Sequence, residues 1–268
     1  MNVNGYSYHI LLGIIQGLTE FLPISSSGHL VIAQNLFGVQ KPQISLNIIL
    51  HLGTMLSVVI YFRKDILAMI KSLRHPGSAH FRLVLLLIIG TIPVAILGFL
   101  FGQYFKLLFA SPVYTSLFLI ITGIILFLTK FRRPAAEHQA KDIGGFKFKD
   151  AFIIGISQAV AMAPGISRSG ITIATGLFRN IDRTLCARYS LLLSIPAILG
   201  AMIAEGKEYT VLSSADLWPV LLGFTSSLIT GLLAIVILFR CLQRAKFYIF
   251  SYYCWALGIF SLIYFSIH

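Results

Sequence analysis

The chain has 268 residues, 57% of them hydrophobic and only 11% charged. That is roughly half the charged fraction of a soluble globular domain, which excludes a water-soluble enzyme or binding module and calls for a lipid surrounding. A net charge of +12 would suit a nucleic-acid partner, but the basic residues sit in short connections between apolar runs, where they read as an orientation signal and not as a nucleic-acid surface.

The first stretch, from about Tyr8 to Ile32, is apolar but lacks a basic flank, contains Glu20 and is broken by Pro23 and Gly28. It is a poor signal peptide. Six later runs are long enough to cross a hydrocarbon core of about 30 Å as helices: residues 46–62, 83–101, 114–129, 187–204, 218–239 and 247–267. Residues 151–178 are also apolar, but Pro164, Gly165 and Gly170 interrupt them. Three cysteines (Cys186, Cys241, Cys254) lie in or beside apolar segments without pairing or metal spacing, and they count as small apolar side chains.

Basic clusters stand at Arg63 to Arg82, Lys130 to Lys149, Arg179 to Arg188 and Arg240 to Lys246, and the positive-inside rule puts all four in the cytoplasm. The connections near residues 102–112 and 205–216 then lie outside. With cytoplasmic charge on both flanks, residues 151–178 must enter and leave on one face, as a re-entrant hairpin. Arg179, Arg183 and Arg188 serve this topology rather than a ligand.

An internal repeat extends that reading. At a constant offset of 142, Gly13, Gln16, Ile24, Ser25, Ser27 and Gly28 recur as Gly155, Gln158, Ile166, Ser167, Ser169 and Gly170, and a second echo joins Thr91-Ile92-Pro93 to Ser194-Ile195-Pro196. Each half contributes three spans, an odd number, so the second copy is inverted and both repeated stretches should be hairpins whose tips meet near the midplane. Broken backbone at that depth must be buried in protein or line a wet cavity. The expected fold is an all-α integral membrane domain over 1–268, with six transmembrane helices plus two re-entrant hairpins, in inverted halves of about 1–130 and 145–268.

The ionisable residues deep within apolar segments are Glu20, His29, His51 and Arg168, and such residues mark functional sites. Three of the four fall inside the repeat. Gln16 and Glu20, four apart on one helix face, can point two oxygens at a hard cation such as Mg²⁺ or Ca²⁺. After Pro23, the residues Ser25, Ser26, Ser27 and Gly28 can start a helix and offer hydroxyls and backbone N–H groups to an anion. Ser26 and His29, three apart, can act as nucleophile or phosphate ligand and as general acid or base. In the second copy, Gly165 and Gly170 admit close backbone approach. Ser167, Ser169 and Thr172 offer hydroxyls there, and the Arg168 fork suits two phosphate oxygens. The competing readings are a packing contact of small residues and a purely structural ion pair of Glu20 with Arg168. His51, in a span, has the weaker claim on the cavity.

At these residues the sequence resembles the undecaprenyl-diphosphate phosphatase family of bacteria, the bacitracin-resistance type. Gln16, Glu20, Ser26 and His29 meet its first motif and Pro164 to Thr172 its second. Gln16 stands where several members have a second glutamate, which leaves Glu20 as the motif's only carboxylate. The resemblance implies hydrolysis of a C55 isoprenyl diphosphate to the monophosphate carrier lipid of cell-wall synthesis, with a divalent cation and a cavity open to the outer (periplasmic) face of the plasma membrane. The attacking group is Ser26 activated by His29, or a water deprotonated by His29 or Glu20. A polyprenyl-phosphate flippase could use the same clamp without a general base, and a homodimer is left open.

Overall fold

The computed structural model describes residues 5–38, 44–109, 111–132, 140–205 and 217–267. The acidic connection expected on the outside, residues 205–216, falls outside the described residues except for Glu205. The described residues are helical apart from turns, short 3₁₀ segments and a single parallel bridge between Lys141 and Ile181.

The chain contains two broken helices, each a pair of short helices around a turn with a proline. Helix α1 (Tyr6–Phe21) stops because Leu22 precedes Pro23 and takes an extended backbone (φ −64°, ψ 144°), as a residue before proline must. Helix α2 (Ser26–Leu36) restarts the chain behind an N-cap at Ser25. The second pair repeats the plan: α7 (Phe148–Val160) ends ahead of Pro164, and α8 (Arg168–Phe178) restarts behind an N-cap at Ser167.

Between and after them run the long apolar helices α3 (Ile44–Tyr61), α5 (Ala79–Phe109), α6 (Pro112–Leu128), α9 (Arg183–Glu205), α10 (Leu217–Gln243) and α11 (Phe250–Ile267). Five of these, α5, α6, α9, α10 and α11, are long and apolar enough to cross a bilayer alone. The sixth candidate is α3 taken with α4 (Arg63–Ser72), which bends away from it by 73°. The protein is therefore a multi-pass helical membrane protein.

Packing pins the hairpins in a reciprocal way. A Cβ on Gly13 of α1 would strike the Gly223 carbonyl of α10, and one on Gly155 of α7 would strike the Gly90 carbonyl of α5. In lipid, such close crossings of small residues replace the hydrophobic drive that water supplies. The tips behave likewise. A Cβ at Gly28 would lie 3.3 Å from Gly165 Cα, and one at Gly170 would lie 3.3 Å from Pro23 Cβ. Positions 23 and 165, like 28 and 170, are equivalents under the sequence offset. The second echo does not belong to this correspondence: Pro93 lies in α5, the second long apolar helix after its hairpin, whereas Pro196 lies in α9, the first.

The base of the second hairpin is tied outside the spans. Asp150 at the start of α7 is fully buried and accepts from Lys141 Nζ (2.8 Å), Arg179 Nε (2.7 Å) and Lys147 N (3.2 Å). Burial alone would raise its carboxyl, but the hydrogen bonds from Lys141 and Arg179 outweigh it and hold the group below the ordinary carboxylate range. Arg188 pairs with Asp65 of α4. Arg179 and Arg188 are thus structural ion-pair partners.

Candidate active site

The hairpin tips bring together groups far apart in sequence. Glu20, on the last turn of α1, is 7% exposed. Its Oε1 accepts from Arg168 Nη2 at 2.6 Å, while its Oε2 accepts from Ser26 Oγ at 2.6 Å and Gln16 Nε2 at 2.9 Å. His51 Nδ1 lies 2.8 Å from Gln16 Nε2 and 3.4 Å from Glu20 Oε2. Arg168 Nη1 donates to the Ser190 carbonyl (3.3 Å) on α9. The Glu20–Arg168 ion pair is thus joined by Gln16, Ser26 and His51 in one polar cluster.

The serine caps are alike in both hairpins. Ser25 Oγ accepts from Gly28 N at 3.2 Å and contacts Ser27 Oγ at 3.3 Å; Ser167 Oγ accepts from Gly170 N at 3.1 Å and contacts Ser169 Oγ at 3.3 Å. This corrects part of the expected anion site, because the N–H groups of Gly28 and Gly170 are taken up by their own caps. Ser169 Oγ donates across the hairpins to the Leu22 carbonyl (3.2 Å). Thr172 Oγ1 donates to the Arg168 carbonyl (2.7 Å) and meets Ser190 Oγ (2.7 Å). Both hydroxyls therefore brace the turn rather than open into it. Gly165, at φ +98°, lets the chain turn tightly enough for its carbonyl to accept from Thr122 Oγ1 (2.8 Å).

What remains for an anion is a set of backbone donors. The first N–H groups of a helix have no intrahelical partner. Among the described hydrogen bonds, none engages the N–H of Ser26 or Ser27 at the start of α2, or of Arg168 or Ser169 at the start of α8. Two helix N-termini and a guanidinium thus surround one carboxylate, an arrangement suited to a multiply charged anion.

Ser26 and His29 do not form a pair. The Ser26 hydroxyl bonds to Glu20, whereas His29 Nδ1 lies 2.8 Å from the Ser25 carbonyl and Nε2 lies 2.8 Å from Tyr253 Oη. Helical spacing put serine and histidine on neighbouring turns, but Ser26 turns back towards α1. The Ser25 backbone (φ 67°, ψ 97°) sits in the left-handed region and points its carbonyl at the imidazole.

Cation ligands are few. No group of three or more His, Cys, Asp or Glu capable of holding a metal occurs among the described residues. Gln16 Oε1, however, is buried without a hydrogen-bond partner. Rotating that amide by 180° would place an oxygen where Nε2 now lies, 2.9 Å from Glu20 Oε2, close to the edge of an octahedron with oxygens about 2.1 Å from Mg²⁺. Two hard oxygens fit a weakly held cation completed by substrate.

The sequence named every member of this cluster except Ser190, Thr122 and Tyr253, and gave His51 too little weight. His51 had a signal, a histidine at membrane depth. Tyr253 had none that separates it from other aromatics in apolar helices.

A polar cluster held between two broken helices in a multi-pass membrane protein defines the class. Residues 9–260 match the bacitracin resistance protein BacA family, and the chain belongs to it. It is 42% identical over 269 residues to an undecaprenyl-diphosphatase of Desulforapulum autotrophicum, covering 95% of this chain and 96% of that one. It is 40% identical to the one from Carboxydothermus hydrogenoformans, over 95% of each chain. It is 41% identical to that of Methanobrevibacter smithii, over 93% and 94%.

Proposed function

We propose that this protein hydrolyses undecaprenyl diphosphate to undecaprenyl phosphate and inorganic phosphate, returning the carrier lipid to cell-wall synthesis. The carrying observation is the chain Arg168, Glu20, Ser26, which links a guanidinium, a buried carboxylate and a hydroxyl by two hydrogen bonds at the starts of α8 and α2. The names of the relatives supply the substrate.

In the substrate-free site Arg168 and Glu20 neutralise each other, which spares the membrane interior an unpaired charge. An entering diphosphate competes for Arg168 and for the N–H groups of Ser26, Ser27, Arg168 and Ser169. Glu20 is then released to accept the Ser26 proton. Ser26 Oγ attacks the terminal phosphorus, the bond to the bridging oxygen breaks, and the lipid monophosphate leaves. Water then cleaves the phosphoserine, and the donors that bound the ground state stabilise the developing charge. A divalent cation held by Glu20 and Gln16 would neutralise phosphate oxygens.

His29 is the second proton-transfer group, and the Ser25, Ser27, Ser167, Ser169 and Thr172 hydroxyls with Gly28, Gly165 and Gly170 hold the two turns open. The reciprocal contacts of Gly28 with Gly165 and of Gly170 with Pro23 support inverted halves of about 1–130 and 145–268. The resemblance to the family is what suggests a site open to the outer face of the plasma membrane. Both hairpins belong to one chain, so the site needs no second copy.

A flippase would not require a serine hydroxyl on a carboxylate. Purified protein in detergent with Mg²⁺ or Ca²⁺ and a polyprenyl diphosphate should release phosphate. No release refutes the reading. A trapped phosphoserine at Ser26 supports the covalent route, and direct ¹⁸O incorporation without one replaces it by attack of water.

A further inference from the structure

We propose that Tyr253 is a positioning residue of this site that acts through His29. The inference rests on the phosphohydrolase reading and deepens it. His29 Nδ1 faces the Ser25 carbonyl at 2.8 Å, and a carbonyl can only accept, so Nδ1 carries a proton. Nε2 is therefore the nitrogen that exchanges one, and its partner is Tyr253 Oη at 2.8 Å. The two rings lie parallel within 5°, with centroids 5.6 Å apart. The imidazole is thus held at both nitrogens, which fixes its tautomer and its orientation.

The reach of Tyr253 is built into the fold. The next residue, Cys254, is fully buried, and its Sγ contacts the Pro23 carbonyl at 3.6 Å. Thr122 of α6 makes the equivalent contact with the Gly165 carbonyl in the second hairpin. Consecutive residues of α11 therefore hold the break of the first hairpin and its histidine. Tyrosines near a membrane surface are ordinarily interfacial anchors whose hydroxyls face headgroups. This hydroxyl faces an imidazole instead, although the residue is nearly half exposed. It stands at the rim of the site, where a substrate phosphate can exchange with it for Nε2.

The test is a double-mutant cycle on the detergent-solubilised full chain. Tyr253→Phe keeps the ring and removes the hydroxyl. It should lower kcat about tenfold with KM unchanged within about twofold, the size expected when one hydrogen bond is lost from the transition state. In a His29→Ala background the same substitution should change kcat less than about twofold, because its path of action is gone. A tenfold loss that persists without His29, or an undiminished kcat in Tyr253→Phe, overturns the proposal. Should the Phe variant elute as aggregate, Tyr253→Met supplies the same two comparisons. Wild-type protein that releases no phosphate refutes the hydrolase reading itself, whereas active wild type with an additive cycle refutes only the role of Tyr253.

Discussion

The two hairpins share a scaffold and divide the chemistry. Each has a proline-containing break, a serine cap that accepts from a glycine N–H three residues on, and a second serine 3.3 Å from the first. The first then places Glu20, Ser26 and His29 where the second has Met162, Arg168 and Ile171. Their strain also differs. In the first hairpin it falls on Ser25 at φ 67°, a residue type that resists this conformation; in the second it falls on Gly165, which does not. The two turns are alike in backbone and cap, and they differ in the side chains that they present.

The sharpest way to break this comparison is at its shared ion pair. Arg168→Ala and Glu20→Ala should each reduce phosphate release by at least about a thousandfold, as loss of a charged group aimed at developing charge does, with folded protein still recovered from the membrane. Arg168→Lys should fare little better, since only a planar fork reaches both Glu20 Oε1 and the Ser190 carbonyl. Full activity in any of the three would remove the site assignment.

Next in size is a contrast in backbone strain. A Cβ at Gly165 would meet the Thr115 carbonyl while φ stays at +98°. Gly165→Ala should therefore cost on the order of 3 kcal/mol and lower the yield of folded protein. Ser25→Gly relieves strain of about 1 kcal/mol or more and gives up a cap whose loss to glycine costs only about a few tenths of a kcal/mol. Its melting temperature should therefore rise slightly. Equal melting temperatures for the two variants would contradict the assignment of strain.

Much of this was legible in the sequence because lipid is an unforgiving solvent. A bilayer admits few charges, so Glu20, His29 and Arg168 announced themselves, and the repeated Ile-Ser-x-Ser-Gly pattern fixed which breaks matched. The bend that sets α4 off from α3 was not legible, since Phe62 and Arg63 carry no proline or glycine signal. Nor was the partner of Ser26. Spacing along one helix favoured His29, but the Ser26 hydroxyl reaches back across the break to Glu20 of α1. Thr122 and Tyr253 were hidden for another reason: their contacts cross more than 40 and more than 200 residues of chain respectively, and no local pattern records them.

The second hairpin has a tied base that a pH titration can probe. Asp150 ionises more readily in the folded protein than in the unfolded chain, so its contribution to stability is complete above the ordinary carboxylate range and is lost as pH falls through the folded value. Asp150→Asn should lower the melting temperature at pH 7, and the gap to wild type should narrow as the pH approaches 3. A gap that is constant with pH would show that the Lys141 and Arg179 contacts add nothing through charge.

The smallest effect is also the most discriminating, because it compares equivalent residues. Gln16 and Gln158 occupy the same position in the repeat, and both are almost completely buried. The Gln16 amide reaches Glu20 and His51, whereas neither amide atom of Gln158 has a hydrogen-bond partner. A buried amide left unpaired costs about 1 to 3 kcal/mol. Gln158→Leu should therefore raise the melting temperature slightly and leave phosphate release within about twofold. Gln16→Leu should reduce release tenfold or more, and Gln16→Glu should lower the Mg²⁺ concentration needed for half-maximal rate. If the two leucine variants lose activity alike, Gln158 shares the task of Gln16 and the difference drawn between the two copies at this position is wrong.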